Sequence, residues 1–247
     1  METCKCGKEH RSSVKYVECG SGAISTLPDY IEKLGGTKAF VLADENTFAA
    51  AGDKVIAALE KANIPYVKYV LKDGIKPDET TIGSAFAHFD SSCDVIVGVG
   101  SGVINDTSKL VSKVSRRPHV AVATAPSMDG YASATSSMDI DGLKTSLKTK
   151  CPEAILGDTD VLKNAPAKML RAGLGDMLAK YVSICEWRIS HLVTGEYYCD
   201  YIASLIRSAL KDCVDNAEGL INRDEKAVEA VFRGLILAGQ GMEYAGN

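Results

Sequence analysis

A chain of 247 residues has room for one large or two modest domains, and 46% hydrophobic with 24% charged residues is a globular composition with a sizeable core rather than a disordered one. A net charge of −4 and a pI near 5.6 argue against nucleic acid or another polyanion as the main partner, since phosphate-backbone binding usually needs a basic patch. No apolar run approaches the ~20 residues of a membrane span and the polar N-terminus lacks a signal-peptide core, so the chain is expected to be cytoplasmic.

Ahead of the first predicted strand, Cys4-Lys5-Cys6-Gly7 and His10 could offer three zinc ligands. Cys-x-Cys is tighter than the usual zinc spacing and no fourth ligand is evident, so a frayed terminus is the simpler reading. The remaining cysteines, Cys19, Cys93, Cys151, Cys185, Cys199 and Cys213, are scattered, and reduced thiols are expected rather than a disulfide framework.

A strand over 14–18, Gly20-Ser21-Gly22 and a helix over 23–34 begin an alternation of strands and helices. The strand over 38–43 carries Asp44 at its carboxyl end, ahead of a helix over 45–62. Asp44 could there reach an adenosine ribose hydroxyl or cap that helix. A strand over 66–71, a helix over 78–89 and a strand over 94–97 follow, with crossovers long enough for right-handed parallel pairing.

Gly98-Val99-Gly100-Ser101-Gly102-Val103-Ile104-Asn105-Asp106 then joins a buried strand to a helix over 103–115 through a loop almost without side chains. Glycines let backbone approach a nucleotide pyrophosphate, and the helix start offers unpaired N–H donors and a positive dipole end. An ordinary tight turn is the alternative. The register departs from the usual dinucleotide fingerprint, because Val103 stands where its third glycine would fall and the loop follows a late strand. Asp106 could cap the helix, and Lys109 is expected to face solvent.

After a strand over 119–123, Thr124-Ala125-Pro126-Ser127-Met128-Asp129-Gly130-Tyr131 gathers hydroxyls, small residues and one carboxylate at the same carboxyl edge, which favours a ligand-facing loop. Residues 132–152 read as a β-hairpin on the sheet with Asp141-Gly142 at its turn. A last strand over 153–156 leads out through 158–164. Beyond Pro166 strand signals vanish. Asn164 is expected to cap a long helix whose apolar positions Leu170, Leu174, Met177, Leu178, Tyr181 and Cys185 keep helical spacing. Further helices over 195–214 and 225–244 flank the polar stretch 215–223. The predicted fold class is α/β, a Rossmann-like parallel sheet in a dinucleotide-binding domain over 1–164 followed by an all-helical domain over 165–247. Gly173 and Gly175 sit inside the long helix at a cost of ~1 kcal/mol each relative to alanine. Close approach of a backbone, a ligand or a metal beside Asp176 would explain them, as would plain helix packing.

Three words in this order, Gly100-Ser101-Gly102-Val103-Ile104-Asn105-Asp106-Thr107-Ser108-Lys109, Thr124-Ala125-Pro126-Ser127-Met128-Asp129-Gly130 and Ala172-Gly173-Leu174-Gly175-Asp176, make the chain resemble the sn-glycerol-1-phosphate dehydrogenase family. That family lies within the larger group of iron-containing alcohol dehydrogenases, glycerol dehydrogenases and dehydroquinate synthases. The resemblance spans nearly the whole chain, and its Ser-x-Asp-Gly word favours the glycerol-1-phosphate branch. It implies an oxidoreductase that uses NAD or NADP, with zinc or another divalent metal, to reduce dihydroxyacetone phosphate to sn-glycerol 1-phosphate. The small-molecule partner would be a phosphorylated triose or polyol, and a homo-oligomer is expected. By position, Gly100, Ser101, Gly102, Val103, Ile104, Asn105 and Asp106 would bind the cofactor pyrophosphate, with Thr124, Ala125, Pro126, Ser127 and Ser133 lining the nicotinamide side. Asp129 would contact substrate, and Asp176 would bind both metal and substrate. Glycerol or other alcohol oxidation, a dehydroquinate-synthase-like lyase and a dinucleotide-binding remnant without turnover are the alternatives.

The family takes its other two metal ligands from histidines further along. His10, His88, His119 and His191 stand in no matching motif, and His191 lies about four turns or ~22 Å from Asp176 on a continuous helix. Either the chain is a fragment or the protein has lost its metal site, and as it stands it is expected to be deficient in zinc-assisted turnover, with apolar faces exposed on the helices of 195–244.

Overall fold

The computed structural model describes residues 4–246. β1 (Tyr16–Gly20), β2 (Ala39–Asp44), β3 (Tyr66–Leu71), β4 (Val95–Gly100), β5 (His119–Ala123) and β8 (Ala154–Asp158) form one sheet in the order β1-β8-β5-β4-β2-β3, every neighbouring pair parallel. The expected class holds: α/β, with a Rossmann-like sheet followed by helices. Its central strands are continuous apolar runs such as Val95-Ile96-Val97, buried on both faces as helix-covered parallel strands require.

Side chains alternate between the two covers. Val41, Val97 and Val120 face a layer built by the 3₁₀ turn Ala23–Thr26, α1 (Leu27–Lys33) and α3 (Asp53–Lys61), where Leu27, Ile31, Val55 and Leu59 are buried. The predicted helix over 45–62 is α2 (Glu45–Thr47), a π-helical stretch Phe48–Gly52 and α3. On the opposite face Phe40, Leu42 and Ile96 pack on α4 (Glu79–Ala87) and α5 (Gly102–Ser115).

The chain then leaves the sheet through α6 (Thr159–Leu162) into α7 (Ala167–Thr194), α8 (Asp200–Asp215), α9 (Ala217–Ile221) and α10 (Glu225–Ala245). One apolar core unites Ala121, Ala123 and Ile155 of the sheet with Leu170, Met177, Leu210, Phe232 and Leu235 of these helices. Among the described residues no helix is long and apolar enough to cross a membrane.

Several local expectations differ. β6 (Thr135–Ile140) and β7 (Leu143–Lys148) form a separate antiparallel two-stranded sheet, tied to the segment ahead of α4 by a single Asp78–Asp139 bridge, so the hairpin is not part of the main sheet. Its turn is as expected, with Asp141 and Gly142 both at positive φ, 51° and 76°. Asn164 does not cap α7: its Nδ2 donates to the Asp160 carbonyl, and Pro166 occupies the N-cap position. Along α7 Leu170, Gly173, Met177 and Ile184 are buried, whereas Leu178, Tyr181, Val182 and Cys185 are exposed, continuing into Ile189, Leu192 and Val193. The main apolar exposure thus falls on α7 and not on the helices of 195–244, whose stripes close on each other and on the sheet. From residue 4 onward the N-terminal segment is docked rather than frayed. Ser12 Oγ and Ser13 N donate to Glu243 at 2.8 and 3.0 Å, and Cys4, Cys6 and His10 meet Cys199.

Gly157 of β8 is where α10 lies tightest on the sheet, since a Cβ there would fall 2.1 Å from Phe232 Cε1. Gly157→Ala should cost about 1–3 kcal/mol in urea unfolding. Adding Phe232→Leu should return part of that loss, because the two sites share one contact.

Candidate active site at the carboxyl edge of the sheet

The connection after β2 runs outward to β3, whereas β4 runs the other way to β5, so the sheet order reverses between β2 and β4. The crevice outside the carboxyl ends of such strands is where open parallel sheets receive ligands. Asp44 ends β2 there. It caps α2 in a reciprocal box, Oδ1 accepting from Thr47 N at 2.8 Å while its own N–H donates to Thr47 Oγ1 at 3.0 Å. Of its two sequence readings, capping is the one with a visible partner.

β4 runs three residues further than expected and takes in Gly98 and Gly100. Both have packing reasons. A Cβ on Gly98 would lie 2.5 Å from Ser108 Oγ and 2.9 Å from His119 Nε2, and one on Gly100 would lie 2.5 Å from Ile104 Cβ. Only Gly102 faces open space, with Met128 Sδ nearest at 3.8 Å. Ser101 is the α5 N-cap yet makes no side-chain cap bond; its hydroxyl pairs instead with Ser127 Oγ at 2.6 Å. The first turn holds no acidic residue, so its N–H groups and positive dipole end are uncompensated by any side chain. Gly102, Val103 and Asp106 are partly exposed, while Ser101, Ile104 and Asn105 are buried.

Lys109 does not face solvent. It is 1% exposed, and its ammonium donates to the Gly130 carbonyl at 2.5 Å, the Thr135 carbonyl at 2.9 Å and Ser133 Oγ at 3.2 Å, with Asp106 Oδ1 at 3.4 Å. Burial pulls its pKa down while Asp106 acts the other way. Burial likewise raises the Asp106 carboxyl against the pull of Lys109, and Asp106 accepts from Ser137 N rather than capping α5. Asn105 Nδ2 also donates to Gly130 O, at 3.1 Å, leaving Oδ1 buried without a partner. His119, beneath them, is held neutral, its pKa pushed down to about 3 by burial and by the Lys109 charge.

The loop after β5 is largely interior. Thr124, Ala125, Pro126 and Ser133 are buried, and Ser127 alone of the expected nicotinamide-lining residues is partly exposed. Tyr131 OH donates to the Ala125 and Gly100 carbonyls at 2.8 and 3.2 Å. Pro126 O touches α7: a Cβ on Gly173 would fall 1.9 Å from it, which makes a backbone the close neighbour that this glycine admits, whereas Gly175 faces open space.

That approach brings Asp129 and Asp176 together. The Asp129 N–H donates to Asp176 Oδ2 at 2.8 Å, and Lys180 donates to Asp129 Oδ2 and lies 3.4 Å from Asp176 Oδ1. Asp129 and Lys180 are mostly buried, Asp176 less so. Burial raises the Asp129 carboxyl while Lys180 opposes it. Burial disfavours charge on Lys180, but the two carboxylates outweigh it and raise its pKa. Sequence reasoning missed Lys180, although its i+4 position from Asp176 was a legible signal. Asp176 joins no group of three metal-ligating side chains. Among the described residues the only such group is Cys4, Cys6, His10 and Cys199, and His191 is half-buried on the last turns of α7, its Nδ1 2.6 Å from Glu196 O.

Residues 18–166 match the iron-containing alcohol dehydrogenase family. The chain is 32% identical over 249 residues to a glycerol-1-phosphate dehydrogenase [NAD(P)+] of Halalkalibacterium halodurans, covering 99% of this chain and 62% of that protein. With the enzyme of the same description from Methanothrix thermoacetophila it shares 32% over 233 residues, 94% of this chain and 65% of that one. It thus spans about three fifths of the length of the curated relatives it matches. Among solved structures an iron-containing alcohol dehydrogenase from Thermotoga maritima superposes with a TM-score of 0.80 at 18% identity over 95% of this chain and 68% of that one. A glycerol dehydrogenase from Schizosaccharomyces pombe gives 0.76 at 23% identity, over 94% and 61%. On these matches and on the parallel-sheet fold they share with it, this chain belongs to the iron-containing alcohol dehydrogenase family.

Proposed function

We propose that this chain carries the nucleotide site and part of the substrate site of an NAD(P)-dependent oxidoreductase that reduces dihydroxyacetone phosphate to sn-glycerol 1-phosphate. The observation that carries the reading is the convergence, at one sheet edge, of an α5 N-terminus without a side-chain cap and the Asp129–Lys180–Asp176 set. The substrate class rests on relatives 32% and 33% identical that are described as glycerol-1-phosphate dehydrogenases.

The residues fit a dinucleotide. The backbone N–H groups at Gly102 and Val103 would take the pyrophosphate, with Ser101 and Ser127 hydroxyls beside them and Asn105 and Asp106 beneath, and the second carboxylate oxygen of Asp44 is available to a ribose hydroxyl. Thr124, Ala125, Pro126 and Ser133 shape the nicotinamide side from behind. When bound, NAD(P)H supplies the hydride. Asp129, oriented by Lys180, accepts a hydrogen bond from a substrate hydroxyl, and Lys180 compensates the negative charge in a partly dry site. At Asp176 the described residues do not fit a resident divalent metal, since its carboxylate is engaged by the Asp129 N–H and by Lys180 and joins no group of three ligands.

Gly102→Val should fold, because the position is open, yet abolish NAD(P)H binding in calorimetric titration; near-native affinity would remove the cradle from the proposal. In a form of the protein that turns over, Asp129→Asn should lower kcat by roughly 10²-fold while cofactor affinity changes little. Equal loss of both would assign Asp129 to the nucleotide instead.

Lys180→Met should destabilise the fold at pH 7 by on the order of 2 kcal/mol, less than the ~3–5 of breaking a fully buried pair. Asp129 has a raised folded pKa, so its ionisation costs stability above that pKa and the cost vanishes as the group protonates. Denaturant curves should therefore show the difference between variant and parent shrinking toward acid pH. A pH-independent difference would mean that Lys180 acts through packing alone.

A further inference from the structure

Cys4, Cys6 and His10 come from the irregular segment ahead of β1, and Cys199 is the N-cap residue of α8, 189 positions beyond His10. Their ligand atoms all lie within 4.8 Å of one another. Cys4 Sγ is 3.7 Å from Cys199 Sγ, and His10 Nε2 is 3.4 Å from both Cys6 Sγ and Cys199 Sγ. A tetrahedral zinc ion with its usual Zn–S and Zn–N bond lengths sets sulfurs about 3.8 Å apart and nitrogen about 3.5 Å from sulfur. Three of the six pairs already stand close to those separations, and the rest lie within 4.8 Å.

The surroundings suit such an ion. His10 stacks on Tyr201 at 5.7 Å and 9° and leans on Tyr244, which fixes the plane of the imidazole. Tyr197 OH lies 3.2 Å from Cys6 Sγ and can donate to it as a thiolate, the outer contact that orients a ligand. A cleft of ≈ 650 Å³ lined by Lys5, Glu9, Arg11, Asp200 and Tyr201 gives an ion its route in.

We propose that Cys4, Cys6, His10 and Cys199 bind one zinc ion as a closed, structural tetrahedral site that fastens the N-terminal segment to the head of α8. Three thiolates and one imidazole select zinc over hard cations, and four protein ligands leave no open position for substrate. Binding releases the thiol protons and needs no oxidant. The apolar cluster beneath is small, with Ile184, Ile202, Ala203 and Ile206 as its buried members beside Cys199, so a metal clip adds cohesion where the core is thin.

The test is cobalt titration of the reduced, metal-stripped 247-residue chain. The expected result is intense thiolate-to-cobalt charge-transfer absorption saturating at one equivalent per chain and displaced by zinc. Asp176→Ala and Cys185→Ser should retain the band at full intensity, whereas Cys6→Ser and Cys199→Ser should each weaken it and the double variant should lose it. The proposal is overturned if the folded parent gives no thiolate band, if the band survives loss of both Cys6 and Cys199, or if Asp176→Ala abolishes it.

Discussion

The candidate site depends on how closely α7 lies against the loop that follows β5. At Gly173 the two are in backbone contact, with Pro126 O occupying the space a side chain would need. Any larger residue would lift the helix away and carry with it Asp176, which lies three positions further along. At the observed spacing Asp176 receives the Asp129 N–H, and Lys180, one turn on again, reaches both carboxylates. A missing side chain therefore sets a charge constellation, and the helical penalty of that glycine is offset by contacts that form only once the helix is seated.

A second constraint operates beneath the same loop. Lys109 is almost completely buried, and burying an ammonium is costly unless its donors are satisfied. Carbonyls of Gly130 and Thr135, the Ser133 hydroxyl and Asp106 satisfy them, and through them one side chain of α5 ties the 3₁₀ turn Asp129–Ala132 to the start of β6. The neutral His119 and the glycines of β4 are parts of the same arrangement. Gly98 leaves room for Ser108 and His119, and Gly100 leaves room for Ile104, so α5 can seat on β4 and present its first turn at the sheet edge.

Away from the Gly173 contact the helical half also meets the rest of the chain elsewhere. α10 packs on the sheet through Phe232 against Gly157, and the N-terminal segment reaches back to α8 and α10 through Cys199 and Glu243. The elbow between α7 and α8 is shaped by Gly195 in the left-handed region and by Trp187 Nε1 donating to Tyr197 O at 2.6 Å. That elbow brings Tyr197 and Cys199 to the thiols and imidazole of the terminus.

The alternation of strands and helices, the parallel class, the hairpin turn at Asp141-Gly142 and the carboxyl-edge position of residues 100–106 and 124–131 were legible in the sequence, because each rests on local periodicity and turn chemistry. Gly173 and Asp176 were legible as an anomaly, since two glycines within a helix need a reason. What they meet was not. Lys109 reads as a solvent-facing lysine until the acceptors of 130–135 fold over it. The apolar stripe of α7 shows its period in the sequence but not which part of it finds a partner. Asp44 offered two uses, and the capping one became visible only with the position of Thr47. Cys199 and His10 lie 189 residues apart, a separation across which no spacing rule operates. Periodicity and turn residues act over a few positions and are written into the chain, whereas satisfaction of buried charge and convergence of distant ligands depend on which surfaces meet, and that is decided only by packing.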